Sequence, residues 1–141
     1  MSYYTNGCHW GGRVNSTPSF FELCFREQVV IVPEHVNTGE YSIGDRVLLI
    51  SGKIVEGVAE IISSRTTSRE YPELEKEFFE HVTGHGAKTL YEINREPFII
   101  YKATVKKVGL KHGDISYNYM RAYFSIKNET TIATIDKIMQ S

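Results

Sequence analysis

One short stretch concentrates the residue types that do chemistry. Asn6-Gly7-Cys8-His9-Trp10-Gly11-Gly12-Arg13 holds the only tryptophan, one histidine, one cysteine and three glycines within eight residues. A tryptophan between a polar pair and two glycines, in a segment without apolar periodicity, is free to act as a stacking plate. Arg13 brings a planar fork of donors that suits a phosphate or a base edge. The backbone of Gly11 and Gly12 can approach a flat ligand closely. The competing reading is that Trp10 plugs one end of a barrel and the glycines only form a turn.

A second constellation is basic. From Lys88 to His112 there are six basic and two acidic residues, a local balance of +4. Lys102, Lys106, Lys107 and Lys111 sit on or just after one strand pattern, and period-two alternation puts Lys102 and Lys106 on one side. Tyr91 and Tyr101 are interleaved with them, and Tyr91 is a further candidate pocket aromatic. Such a strip suits phosphate contacts. Lysines that guard an edge strand against aggregation would look the same.

Catalytic signatures are missing from the sequence. There is no Gly-x-Ser-x-Gly, no phosphate-binding loop and no dinucleotide fingerprint, so neither catalysis nor a cofactor is expected. Cys24 falls in the apolar pattern of a helix and reads as packed. Cys8 beside His9 is adjacency in sequence, which says little about a nucleophile and its base. His81 and His85 have a zinc-pair spacing, but no second pair follows, so no metal is expected.

These residues need elements to position them. Ser16 or Thr17 can cap a short helix with Pro18 at its first position, and Phe20, Phe21, Cys24 and Phe25 form its broad apolar face. Val29–Val32 is a short β-branched strand ended by Pro33. Arg46 to Ile50 and Ile54 to Ile62 read as a hairpin around Ser51-Gly52-Lys53. Gly57 and Ala59 on the return strand leave a groove for a ligand or another backbone.

Glu70 to Val82 reads as a helix whose core stripe is Leu74, Phe78 and Val82. Two basic and five acidic residues from Arg69 to His81 make its outer surface a solvated acidic face. Phe98 to Val108 is a long strand. Met120 to Ile126 is another, with Met120, Ala122, Phe124 and Ile126 inward. Thr130 to Met139 is a tail helix with Ile132, Ile135 and Met139 on one side. The order favours an α+β domain with a small, mostly antiparallel, curled sheet or barrel.

The bulk numbers agree. A length of 141 residues fits one domain spanning 1–141. Hydrophobic residues at 41% and charged residues at 23% exclude a disordered chain. The net charge of −1 supplies no global field toward a polyanion, so any such contact is a local patch. Two cysteines cannot build a disulfide framework. No apolar run approaches the length of about 20 residues that a membrane helix needs, so no membrane association is expected, and a reducing, cytoplasmic location is.

Trp10 with its nearby glycines and arginine, the helix through Phe20–Phe25, the strand Val29–Val32, Tyr41-Ser42-Ile43-Gly44-Asp45-Arg46-Val47, a turn, and Ile54-Val55-Glu56-Gly57-Val58-Ala59-Glu60-Ile61 come in a telling order. This succession resembles the PUA-like superfamily, closest to EVE-type domains and the N-terminal reader domains of modified-cytosine restriction ATPases. The resemblance covers about Tyr4 to Ile126. It implies a small β-barrel flanked by short helices, holding a nucleobase in a pocket with aromatic walls. It places Trp10 at the N-terminal pocket aromatic and Ser51 on the pocket rim. The expected partner is DNA or RNA carrying a modified, flipped or unpaired base, with a nuclease or ATPase chain as a further partner. A pocket for a free nucleoside or nucleotide, or an interaction subunit presenting the acidic helix, are the alternatives.

Overall fold

The computed structural model describes residues 1–7, 17–33, 40–84, 97–119 and 123–141. Its elements are β1 (Tyr3–Gly7), α1 (Thr17–Glu27), β2 (Val29–Pro33), β3 (Arg46–Ser51), β4 (Ile54–Ile61), β5 (Thr66–Thr67), α2 (Pro72–Gly84), β6 (Phe98–Lys111), β7 (Tyr123–Ser125) and α3 (Glu129–Gln140). The described strands form one sheet in the order β2-β6-β4-β3-β1-β7, with β5 on the opening residues of β6. Among the described strands only β1 and β3 run parallel; the other pairings are antiparallel.

Alternation along the central strands feeds two cores. In β3, Val47 and Leu49 join Phe21, Leu23 and Cys24 of α1, Leu74 and Phe78 of α2, and Tyr101, Ala103 and Val105 of β6. Leu48 and Ile50 point the other way and join Val58, Ile115, Tyr117, Ile126 and Ile135 of α3. The sheet is thus covered on both faces, which is why Val-Leu-Leu-Ile is continuously apolar. Each such side chain fully buried is worth about 1.5–3 kcal/mol.

The Tyr41-to-Val47 stretch is a built turn. Asp45 is buried, and its two carboxylate oxygens accept from the N–H groups of Ser2 and Ser42, each at 2.8 Å. Gly44 has φ +96°, a conformation that favours glycine, and its N–H donates to the Ile61 carbonyl at 2.8 Å. This ties the chain ahead of β3 to the end of β4.

The C-terminal helix is clamped at three points. Asn128 caps its start by accepting from Thr131 N–H at 3.0 Å. Asp136 accepts from Arg46 at 2.6 Å and from the Tyr3 hydroxyl at 2.7 Å. The Lys106 ammonium donates to the carbonyls of Ile138 at 3.1 Å, Met139 at 3.2 Å and Ser141, where the negative end of the helix dipole favours a cation.

Several expectations need correction. The polar-aromatic opening of the chain is a strand, β1, inserted between β3 and β7. The groove expected over Gly57 and Ala59 is filled: a Cβ on Gly57 would lie 2.6 Å from Phe25 Cε1 and 3.0 Å from the Lys106 carbonyl. A bulge between Val55 and Gly57 also breaks the alternation, so Val55 shares the outer core with Val58 while Ala59 and Ile61 face the inner one. The strand expected over Met120–Ile126 is β7 alone among the described residues. Ile126 is buried, but Phe124 is 41% exposed, because the edge strand turns it away from the core. Glu75 is not on a solvated face: its side chain is 14% exposed and accepts from Ser68 Oγ at 2.6 Å and Arg69 at 2.7 Å. Ser68 Oγ in turn accepts from Phe98 N–H at 3.0 Å, locking α2 to the start of β6.

Candidate functional site

Strand β1 decides what lines the inside of the curl. Its period of two sends Tyr4 and Asn6 to the inner face, level with Val47 and Leu49 in the parallel register. Tyr4 meets Tyr41 with ring centroids 5.1 Å apart, and Tyr41 meets Tyr101 at 5.2 Å, both tilted. The Tyr101 hydroxyl accepts from Tyr41 N–H at 3.2 Å. Burial pushes the Tyr41 phenol far above its ordinary range, so it stays neutral, a hydrogen-bonding group and not a nucleophile. Its hydroxyl is buried without a hydrogen-bond partner among the described residues.

Asn6 closes the curl. Its Nδ2 donates at 3.2 Å to the carbonyl of Ile31, on the strand at the opposite edge of the sheet. The residue is 1% exposed. A carbonyl only accepts, so the amide must turn its NH2 toward Ile31. The Oδ1 is then fixed on the other side, buried and with no donor among the described residues. Ser51 Oγ is in the same condition. Gly7 pairs with Ile50, so Ser51, next along β3 and on the Leu49 side, lies diagonally from Asn6. Strand spacing and rise put the two Cα atoms about 8 Å apart.

The hairpin end beyond Ser51 carries a cationic and aromatic rim, with Tyr117 and Tyr119 on the side of the outer core. Lys53 Nζ stands 5.0 Å from the centre of the Tyr119 ring. His112 meets Tyr119 edge-on at 4.7 Å and Tyr117 at 5.3 Å. The His112 backbone N–H donates to the Lys53 carbonyl at 2.8 Å, and the Tyr117 hydroxyl donates to the Gly52 carbonyl at 2.9 Å. Lys111 pairs with Ile54 across the strands and is exposed. Asp114 beside it accepts from Lys111 N–H at 3.0 Å.

Of the residues singled out by sequence, Ser51 stands at this end with a buried, unpartnered hydroxyl. Trp10, Gly11, Gly12, Arg13 and Tyr91 lie outside the described residues. The lysine strip divides. Lys102 is exposed. Lys106 is occupied by the helix carbonyls described above. Lys107 pairs with Glu22 at 2.9 Å and sits 5.5 Å over the Phe25 ring. Sequence reasoning missed Tyr4, Asn6 and Tyr41 as lining residues and Lys53, His112 and Tyr119 as a rim. The Ser51-Gly52-Lys53 turn was the one signal that could have led to the rim. Among the described residues no cluster of three or more His, Cys, Asp or Glu could hold a metal ion, and no helix is long and apolar enough to cross a membrane.

A curled, mostly antiparallel sheet with a helical pair over one face and a tail helix over the other is a PUA-like α+β fold. The structure is similar to a crystal structure of a mutant of ZmASCH from Zymomonas mobilis, with a TM-score of 0.56 over 96% of this chain and 98% of that one, at 8% identity. No family model and no curated protein matches the sequence. The likeness is therefore one of fold.

Proposed function

We propose that this chain is a nucleic-acid binding module that holds an unpaired, flipped or modified base inside the curl, between Asn6 and the hairpin end of β3 and β4. The observation that carries the reading is the pair of buried, unpartnered groups Asn6 Oδ1 and Ser51 Oγ. A buried polar atom without a partner costs about 1–3 kcal/mol, and a ligand that supplies the partner recovers it. Trp10, Gly11, Gly12 and Arg13 come after Gly7 with only Cys8 and His9 between, so this stacking plate and these donors belong to the same reading. Tyr91 is the further aromatic that this reading assigns to the base.

The resemblance to EVE-type and restriction-ATPase reader domains supports base binding in particular, and the PUA-like fold agrees with it. The rim of Lys53, Lys111, His112 and Tyr119 suits the flanking phosphates and a neighbouring base; Lys102 is exposed at the other end of β6, away from this rim. The role is binding without chemistry, with a nuclease or ATPase chain supplying any cleavage in the cytoplasm.

The single tryptophan provides the test. Short single-stranded DNA and RNA, with plain and modified bases, are titrated while Trp10 emission is followed. Saturable quenching with affinity falling steeply as salt rises is the expected result. Quenching by free nucleosides that ignores salt, with none by oligonucleotides, moves the reading to a small-molecule pocket. No change with any of them overturns base binding.

A further inference from the structure

We infer that Asn6 is the specificity-determining residue of this pocket, and that it requires the bound base to present an N–H donor. The inference rests on the base-binding reading and narrows it to a chemical demand.

An asparagine amide can usually serve as donor or acceptor by turning over. Here it cannot. Ile31 contributes a carbonyl, and the 3.2 Å contact holds Nδ2 in place; a flipped amide would set two acceptor oxygens against each other. The Oδ1 is thus an obligate acceptor. It is also buried, in a residue 1% exposed, with no backbone or side-chain donor among the described residues. Tyr41 and Ser51 do not share this constraint, because a hydroxyl rotates to donate or accept. Of these three buried groups, Asn6 is the one that imposes a direction on the ligand.

The N–H groups of nucleobases are the amino and imino groups that base pairing uses. An imino N–H is spent in a base pair, whereas an amino group keeps one N–H toward a groove, so pairing blocks an imino donor outright and leaves an amino donor accessible only from the groove. A base whose amino or imino hydrogens are replaced by methyl groups leaves the oxygen without a partner. The site then rejects a base whose donor group has lost every N–H, whatever it accepts elsewhere on the ring.

The test uses the unaltered chain first. Binding of cytidine and uridine is measured against N4,N4-dimethylcytidine and 3-methyluridine by Trp10 fluorescence and by calorimetry. The expected result is that the better-binding parent loses about tenfold or more on methylation. Asn6→Leu then separates the hydrogen bond from bulk: in that variant the parent and methylated forms should bind within about twofold of each other. Equal binding of parent and methylated nucleosides to the unaltered chain overturns the inference while leaving base binding in place. So does a methylation penalty that persists undiminished in a folded Asn6→Leu chain. Failure of every nucleoside and oligonucleotide to bind overturns both.

Discussion

The Gln28 side chain and the Val105 backbone pair as two peptides would. Val105 N–H donates to Oε1 at 2.8 Å, and Nε2 donates to the Val105 carbonyl at 3.1 Å. Gln28 follows α1 and precedes β2, with φ +55°, a conformation costing a side-chain-bearing residue about 1–2 kcal/mol. Where β2 stops pairing with β6 beyond Lys102, the amide continues the ladder.

Replacing Gln28 should expose both effects. Gln28→Ala leaves the Val105 groups unpaired and keeps the backbone conformation, costing about 1–3 kcal/mol. Gln28→Gly loses the same bonds and relieves the backbone, so it should be about 1 kcal/mol more stable than the alanine variant. Urea unfolding of the two beside the parent checks the order. An alanine variant as stable as the parent would mean water serves Val105 equally well.

Gly57→Ala should destabilise by about 1–3 kcal/mol, because the new methyl meets both Phe25 and a carbonyl. Phe25→Leu in the same chain should restore part of the loss by clearing the ring. A double-mutant cycle with no coupling between the two sites would contradict the close approach.

Lys106 and the rim lysines should separate cleanly. Lys106→Met keeps the apolar stem and removes the ammonium from the α3 carbonyls, costing about 0.3–2 kcal/mol and speeding hydrogen exchange in the last turn of α3. It should leave the salt dependence of single-strand binding unchanged. Lys53→Gln with Lys111→Gln should reduce that slope by about 1.4, at about 0.7 per phosphate contact, with stability nearly unaltered. The reverse pattern would return the phosphate contact to the Lys102–Lys106 face.

Stability should fall on the alkaline side. Burial pushes the Tyr117 phenol up to about 12 and raises those of Tyr41 and Tyr101 as well. In the unfolded chain these phenols ionise near about 10. The unfolded state therefore sheds protons first, so the contribution is complete below about pH 10 and is lost as pH rises toward 12. Urea midpoints measured from pH 8 to 11.5 check this. A flat profile above pH 10 would mean these hydroxyls reach solvent.

How much of this was legible depended on whether a signal was local. Phe21 and Cys24, the Val29–Val32 run, the hairpin around Gly52-Lys53, Leu74 with Phe78, and Ile132 with Ile135 all announce themselves by period, and each packs as its period says. Tyr3-Tyr4-Thr5-Asn6-Gly7 does not. It is a strand only because β3 and β7 pair with it from both sides, and its inner polar residue is satisfied only by a carbonyl across the sheet. Phe124 misled because alternation gives the face but not whether anything covers it at an edge. Gly57 misled because a gap in one strand is filled from α1, distant in sequence. The inner tyrosines Tyr4, Tyr41 and Tyr101 were hidden among many. Only the family resemblance brought out Ser51.

The position of β1 also sets a timetable. The strand is made before its neighbours, yet Thr5 pairs with Leu48 on one side and Phe124 on the other. On a ribosome it must wait through more than a hundred further residues before its second edge is covered. Contacts so far apart in sequence form slowly. During that interval its open backbone groups are available to any other strand, so this short segment is where chaperone capture or exchange between nascent copies would begin.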